Sequence, residues 1–277
     1  MATSVFEVDC HVHAGAERRG VALQQFEAAL RERGIRCAGL VDHAEFYIAD
    51  KPRPFVEALR GAGCPYAENA DGFVAFCGDV RALRASSDLR LACGLESEFI
   101  DRTPQDLLGP PDFVAHCFKV RGDGKDFGVE AAERIRRFAA WVRPSGKPAV
   151  VHHPFRCRVL AYRELLARGE APAPERFITP DDVRRIADAV GEAGLFIEVN
   201  LSTVHSIGDS PEALALYVHA VRLLIAEGPR LTLGSDAHGT AGLALTAGMR
   251  RAVSETGLTP AHLQAACDRL FGGTCAA

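Results

Sequence analysis

Short apolar runs alternate along the chain with longer stretches in which apolar residues return every three to four positions. A brief apolar run suits a strand buried on both faces, and the 3.6-residue return suits a helix resting one face on a core. On this reading strands fall at Val5–Cys10, Cys37–Val41, Arg90–Leu95, Phe113–Ala115, Ala149–His152, Leu195–Asn200 and Leu231–Gly234. Helices fall at Ala22–Arg33, Phe73–Ala85, Val129–Val142, Asp181–Ala193, Pro211–Glu227 and Pro260–Leu270. Thr179-Pro180 and Ser210-Pro211 set a capping hydroxyl before a proline suited to a first helical turn. Seven strands, most of them followed by a helix, predict an α/β fold with a parallel barrel inside and helices outside, a doubly wound open sheet being the alternative. Residues 1–277 read as one domain, with an excursion from the barrel at 158–178 around Ala171-Pro172-Ala173-Pro174.

Composition narrows the functional classes. With 32 basic against 36 acidic residues the net charge is −4, so no overall basic field draws the chain to long nucleic acid or to an anionic membrane. Neither a basic, apolar leader nor a bilayer-length apolar run occurs, and the expected location is cytoplasmic. The nine cysteines are scattered without a C-x-x-C pair, and read as reduced thiols mostly in the core. Cys10 and Cys117 adjoin polar candidates but should face the other way, because neighbouring strand residues point to opposite sides.

The polar positions carry the chemistry. His11 and His13, His43, Glu96 and Glu98, His116, His152 and His153, Glu198 and Asn200, and Asp236 with His238 all stand at or just past the C-terminal ends of strands. In parallel α/β folds those ends gather on one rim, where active sites lie. A spacing of two, as in His11/His13, Glu96/Glu98 and Asp236/His238, puts both side chains on one face of a strand. Imidazoles and carboxylates so arranged suit divalent zinc, manganese or iron. Each motif alone also has a plain structural reading as a packed histidine or a loop, but seven of the ten histidines sit at strand ends. His205, His219 and His262 are read as surface or helix-packing residues.

The ordered set Asp9-Cys10-His11-Val12-His13, Val41-Asp42-His43, Gly94-Leu95-Glu96, His116, His153-Pro154, Glu198-Val199-Asn200 and Gly234-Ser235-Asp236-Ala237-His238 resembles the polymerase and histidinol phosphatase (PHP) superfamily of metallohydrolases. The resemblance implies a distorted (β/α)7 TIM-like barrel holding two or three divalent metal ions. By it, His11, His13, Glu96 and Asp236 hold one ion, His43 and His238 a second, and Glu96, His116 and His153 a third. Of the adjacent pair, His153 is the expected ligand and His152 is not. Glu198 and Asn200 match a motif near the site that does not bind metal. The family commonly places a ligand five or six residues after H-x-H, where this chain has Arg18 and Arg19, which cannot coordinate a metal.

The expected reaction is hydrolysis of a small phosphorylated substrate, a phosphomonoester, through a metal-activated hydroxide. Asp236 and His238 are the candidate catalytic acids. Arg156, Arg18 and Arg19 are the candidate substrate-binding residues, since a guanidinium fork matches phosphate oxygens; Lys119 and Arg121 follow. Hydrolysis of a cyclic or short phosphodiester, amidohydrolase-like attack on a C–N or ester bond, and a non-catalytic metal-binding scaffold are the alternatives.

Overall fold

The structure is a computed structural model that describes residues 4–16, 21–48, 50–52, 54, 57, 69–120 and 126–272. Seven strands, β1 (Val8–His13), β2 (Cys37–His43), β3 (Arg90–Ser97), β4 (Phe113–Cys117), β5 (Ala149–His152), β6 (Phe196–Asn200) and β7 (Leu231–Gly234), form one sheet in sequence order. Every neighbouring pair is parallel. The sheet nearly closes where β1 meets the segment after β7: Val12 bridges Ala237 in parallel, His13 N–H donates to Ala237 O (2.8 Å), and Asp236 N–H donates to His11 O (2.8 Å). With helices around it, this is a (β/α)7 TIM-like barrel.

The apolar runs are buried as the pattern requires, on the barrel side and on the helix side alike. Sheet register sorts the interior. Glu96 pairs with Ala115, Ala115 with Val150, and Cys117 with His152, so these residues point to one side together. Gly94 pairs with Phe113 one step lower, where a Cβ on Gly94 would meet the Phe113 ring and stand 2.6 Å from Val41 Cγ1. The lower barrel is thus filled by an aromatic ring lying over glycine, while the upper layer is polar.

The caps occur where hydroxyl-proline pairs predict them: Thr179 Oγ1 accepts from Asp182 N–H (3.2 Å) and Ser210 Oγ from Ala213 N–H (3.3 Å). β1 starts three residues later than the apolar run suggests, because Val5–Glu7 forms a 3-10 turn capped by Ser4. Helices where none was expected include Arg156–Ala167, Pro174–Phe177, Leu201–Ile207 and Ala247–Thr256. The last two are started by Asn200 Oδ1 on Thr203 N–H (2.8 Å) and Thr246 Oγ1 on Met249 N–H (3.1 Å). Segment 158–178 is tied down by buried Arg158, which donates to Phe177 O (2.8 and 3.2 Å) and lies 3.8 Å over the Phe177 ring.

Cys37 is disulfide-bonded, so the reading of nine reduced thiols fails there. Cys10, Cys77, Cys93, Cys117, Cys157 and Cys267 are free, and all but Cys157 are buried. No helix among the described residues is long and apolar enough to cross a membrane.

Candidate metal centre

At the C-terminal end of the barrel, side chains from β1, β3 and the turn after β7 meet. His11 Nε2 and His13 Nε2 face each other at 3.0 Å. Asp236 Oδ1 stands 3.5 and 3.4 Å from these two nitrogens, and the Glu96 oxygens stand 3.6 and 3.4 Å from them. Four donors placed about 2.1 Å from one tetrahedral ion lie roughly 3.4 Å apart. The separations among His11, His13 and Asp236 match that spacing, and Glu96 approaches each histidine at a similar distance through a different oxygen; all four residues are buried.

Two further histidines join the edge of this group. His43 Nδ1 is 3.3 Å from Glu96 Oε2, with its ring 4.6 Å from that of His13. The His238 ring stacks on His13 at 4.1 Å and its Nε2 lies 3.2 Å from Asp236 Oδ1, with 43% of the side chain exposed at the mouth. Asp236 has a positive φ of 56°, rare for a residue with a side chain, and this turns its carboxylate back over the barrel.

At β5 the expected either-or between the two histidines does not hold. His152, on the strand, points inside, where its Nδ1 is 2.8 Å from Glu96 Oε1 and its ring stacks on His11 at 3.7 Å. His153 follows the strand with φ of 35°, which breaks the alternation and brings Nε2 within 3.6 Å of Glu96 Oε1. Both therefore reach the site, one from below and one from the rim.

At β4 the alternation works against the expected ligand. His116 pairs with Ser97 and Val151, on the parity opposite to Glu96, and so points into the helix layer. Its Nδ1 meets Ser97 O at 2.7 Å, its Nε2 accepts from Arg134 Nε at 3.3 Å, and its ring packs 5.3 Å from Phe138. Cys117, expected to face away, shares the parity of Glu96 and His152. Its Sγ, a Glu96 oxygen and a His153 nitrogen lie within 4.8 Å of one another.

A second ring of residues holds the first. Glu198 Oε1 is 2.9 Å from His11 Nδ1, and its Oε2 accepts from His153 N–H (2.7 Å) and Asn200 Nδ2 (3.1 Å). A histidine whose far nitrogen meets a carboxylate has its ring orientation and tautomer set. Asp42 accepts from Ala16 N–H, Tyr47 O–H and its neighbour His43 N–H, and so pins the chain after β1 against β2. Buried Glu45 ties the end of β2 to that of β3 by accepting from Glu98 N–H (2.8 Å) and Phe99 N–H (2.9 Å). Neither Glu45 nor the inward roles of His152 and Cys117 was foreseen from sequence; the parity that identifies the last two needs the register.

The electrostatics are those of a desolvated cluster of imidazoles and carboxylates. Burial opposes charge on Glu96, yet His11 and His43 hold its carboxyl well below the usual range. Asp236 is held low in the same way, against burial, by His11, His13 and His238. His13 is pushed down to about 3, by burial first and then by neighbouring His238 and His43. His11 is raised despite burial by Glu198, Glu96 and Asp236. His13 and the ionised carboxylates are thus in the state in which they serve as metal ligands, whereas His11 must give up a proton to bind.

Arg156 opens the helix after His153-Pro154-Phe155, and its Nη1 donates to Asp236 Oδ2 at 2.7 Å while a third of the side chain stays exposed. With Ser202, His205, Asp236 and His238 it lines a cavity of about 400 Å³ beside the cluster. His205 is thus a cavity residue as well as a surface one. Lys119 pairs with Glu98 (2.7 Å). Arg18, Arg19 and Arg121 lie outside the described residues.

No protein-family model matches the chain, and no curated protein matches it. Among solved structures it is similar to a histidinol phosphate phosphatase from Lactococcus lactis subsp. lactis Il1403, complexed with zinc, L-histidinol and phosphate. The TM-score is 0.57 at 13% identity, over 91% of this chain and 94% of that one. It also matches an amidohydrolase from Burkholderia ambifaria with bound zinc, at TM-score 0.42 and 13% identity, over 94% of this chain and 65% of that one; a likeness at that score bears no weight. The first likeness agrees, at the level of fold, with the resemblance carried by the motifs.

Proposed function

We propose that the protein is a metal-dependent hydrolase acting on a small phosphomonoester. The observation that carries the reading is the buried triad His11 Nε2, His13 Nε2 and Asp236 Oδ1 at the mutual distances of ligands around one ion, with the buried Glu96 oxygens 3.6 and 3.4 Å from the two histidines. Glu96 supports it further: its Oε2 accepts no hydrogen bond among the described residues although it is buried, a costly state for a carboxylate that serves only structure. In this reading His11, His13, Glu96 and Asp236 hold one ion, His43 contributes beside Glu96, and His153 approaches Glu96 from the other side. His116 has no place in the set, since both its ring nitrogens are engaged elsewhere.

Bound divalent ions supply Lewis acidity toward phosphoryl oxygens and make water a usable nucleophile at neutral pH. The chain supplies the remainder. Glu198 and His152 fix the orientations of His11 and Glu96, so the donors are set before substrate arrives. Arg156 is anchored through one nitrogen to Asp236, which leaves further N–H donors to face phosphate oxygens in the cavity. His238, half exposed at the mouth and within 3.2 Å of Asp236, is placed to give a proton to the leaving oxygen. A cavity of about 400 Å³ suits a small organic phosphate. The similar Lactococcus phosphatase holds such components, L-histidinol and phosphate, and this agrees with the class without naming the substrate.

The test is turnover by zinc- or manganese-loaded protein of p-nitrophenyl phosphate, bis-p-nitrophenyl phosphate and p-nitrophenyl acetate. Preference for the monoester is expected. Preference for the diester moves the reading to a phosphodiesterase, preference for the acetate removes phosphorus chemistry, and bound metal with no turnover leaves a scaffold.

A further inference from the structure

Cys117 is a buried thiol that the mechanism above does not use and that stands beside the cluster. Parity places it inside the barrel, because Cys117 pairs with His152 and shares the side of Glu96. It is 3% exposed, and its Sγ lies within 4.8 Å of a carboxylate oxygen of Glu96 and a ring nitrogen of His153. The neighbours point the same way. Across this corner His153 Nε2 stands 3.6 Å from Glu96 Oε1, both residues buried. His153 holds its ring there through a positive φ of 35°, an arrangement that costs energy and persists where the surroundings require it. His116 is turned outward onto Ser97 O and Arg134 and leaves this corner to the thiol.

We propose that Cys117 is a metal ligand, joining Glu96 and His153 in a sulfur, oxygen and nitrogen site, and that it biases this corner of the centre toward zinc over manganese. The inference rests on the metal-hydrolase reading. Thiolate, imidazole and carboxylate at about 2.0–2.3 Å from one ion stand close to the observed span and close it with small side-chain rotations. Soft thiolate favours zinc, whereas manganese and magnesium favour oxygen ligands. Binding releases the thiol proton to solvent, the ordinary exchange for a metal-ligating cysteine.

Cobalt(II) reports the ligand directly. Metal-stripped full-length protein is loaded with cobalt and its absorption recorded, for the wild type and for Cys117→Ser, which keeps the volume and removes the soft ligand. The wild type is expected to show visible d–d bands together with a near-ultraviolet sulfur-to-cobalt band; Cys117→Ser is expected to keep the former and lose the latter. Competition between zinc and manganese should shift about tenfold or more toward manganese in the variant. Visible bands without a sulfur band in the wild type, or a sulfur band that survives in Cys117→Ser, overturn the proposal and leave the metal-hydrolase reading intact. No bound cobalt at all overturns both. Should Cys117→Ser fail to fold, cadmium-113 NMR of the wild type decides: a resonance in the thiolate-ligated range supports the site, and resonances only in the nitrogen and oxygen range remove it.

Discussion

Replacing Glu198 with alanine should strike folding and metal affinity together. Its carboxylate meets three buried donors: His11 Nδ1 at 2.9 Å, His153 N–H at 2.7 Å and Asn200 Nδ2 at 3.1 Å. All three partners are at most 4% exposed. Each buried donor left without an acceptor costs about 1–3 kcal/mol. Water entering the space left by the side chain would satisfy one or two of them, which brings the expected loss to about 3–5 kcal/mol. In a chain of this size that corresponds to a fall in Tm of roughly 6–20 °C. The second effect is on His11, whose ring loses the partner that sets its tautomer, so zinc affinity should fall about 10- to 100-fold. Thermal unfolding of metal-free protein by circular dichroism reads the first quantity, and zinc competition against a chromophoric chelator reads the second. A Tm shift under about 2 °C with unchanged zinc affinity would show that Glu198 does not support the centre.

Three further outcomes follow from the same geometry. A methyl group in Gly234→Ala would run into Glu198 Oε1 and stand 2.5 Å from His11 Cβ, so about 3 kcal/mol or more should be lost, and near-native stability in urea would contradict this placement. Asp9 is raised to about 6 by burial, against hydrogen bonds from Ser235 and His11, so the metal-free fold favours its protonated form. Stability should then decline as pH rises from about 4 to 6, and Asp9→Asn, which keeps the Oδ1 acceptor, should stabilise the metal-free protein at pH 7 by up to about 3 kcal/mol; a destabilised variant at pH 7 would contradict the sign. Arg156→Ala should raise KM for a phosphomonoester about tenfold or more while bound zinc measured by mass spectrometry stays constant, and an unchanged KM removes Arg156 from phosphate binding.

The barrel was legible in the sequence because its strands are buried on both faces and its helices on one, so periodicity separates them. The H-x-H pair, Glu96 and Asp236 were legible because spacing of two fixes a shared face without knowledge of the neighbouring strands. His116 and Cys117 were not, since which of two adjacent residues faces inward depends on register with β3 and β5, a long-range property. His152 and His153 broke the rule of alternation through a single positive φ after the strand. Glu45 gave no signal, because its partners Glu98 and Phe99 are backbone groups brought near only by the fold. Leu201–Ile207 is too short, at seven residues, for a periodic signal, whereas Ala247–Thr256 buries Met249, Ala252, Val253 and Thr256 at helical spacing, a signal the sequence carries.

The most direct test of the central claim is a metal titration of stripped protein in which bound zinc and p-nitrophenyl phosphate turnover are followed in the same samples, beside a His13→Ala variant. Turnover should be absent without metal, rise as the cluster fills, and fail to return in the variant even with zinc in excess. Equal turnover in stripped and loaded protein, or full zinc-dependent activity in His13→Ala, would contradict the assignment of a metal centre to His11, His13, Glu96 and Asp236.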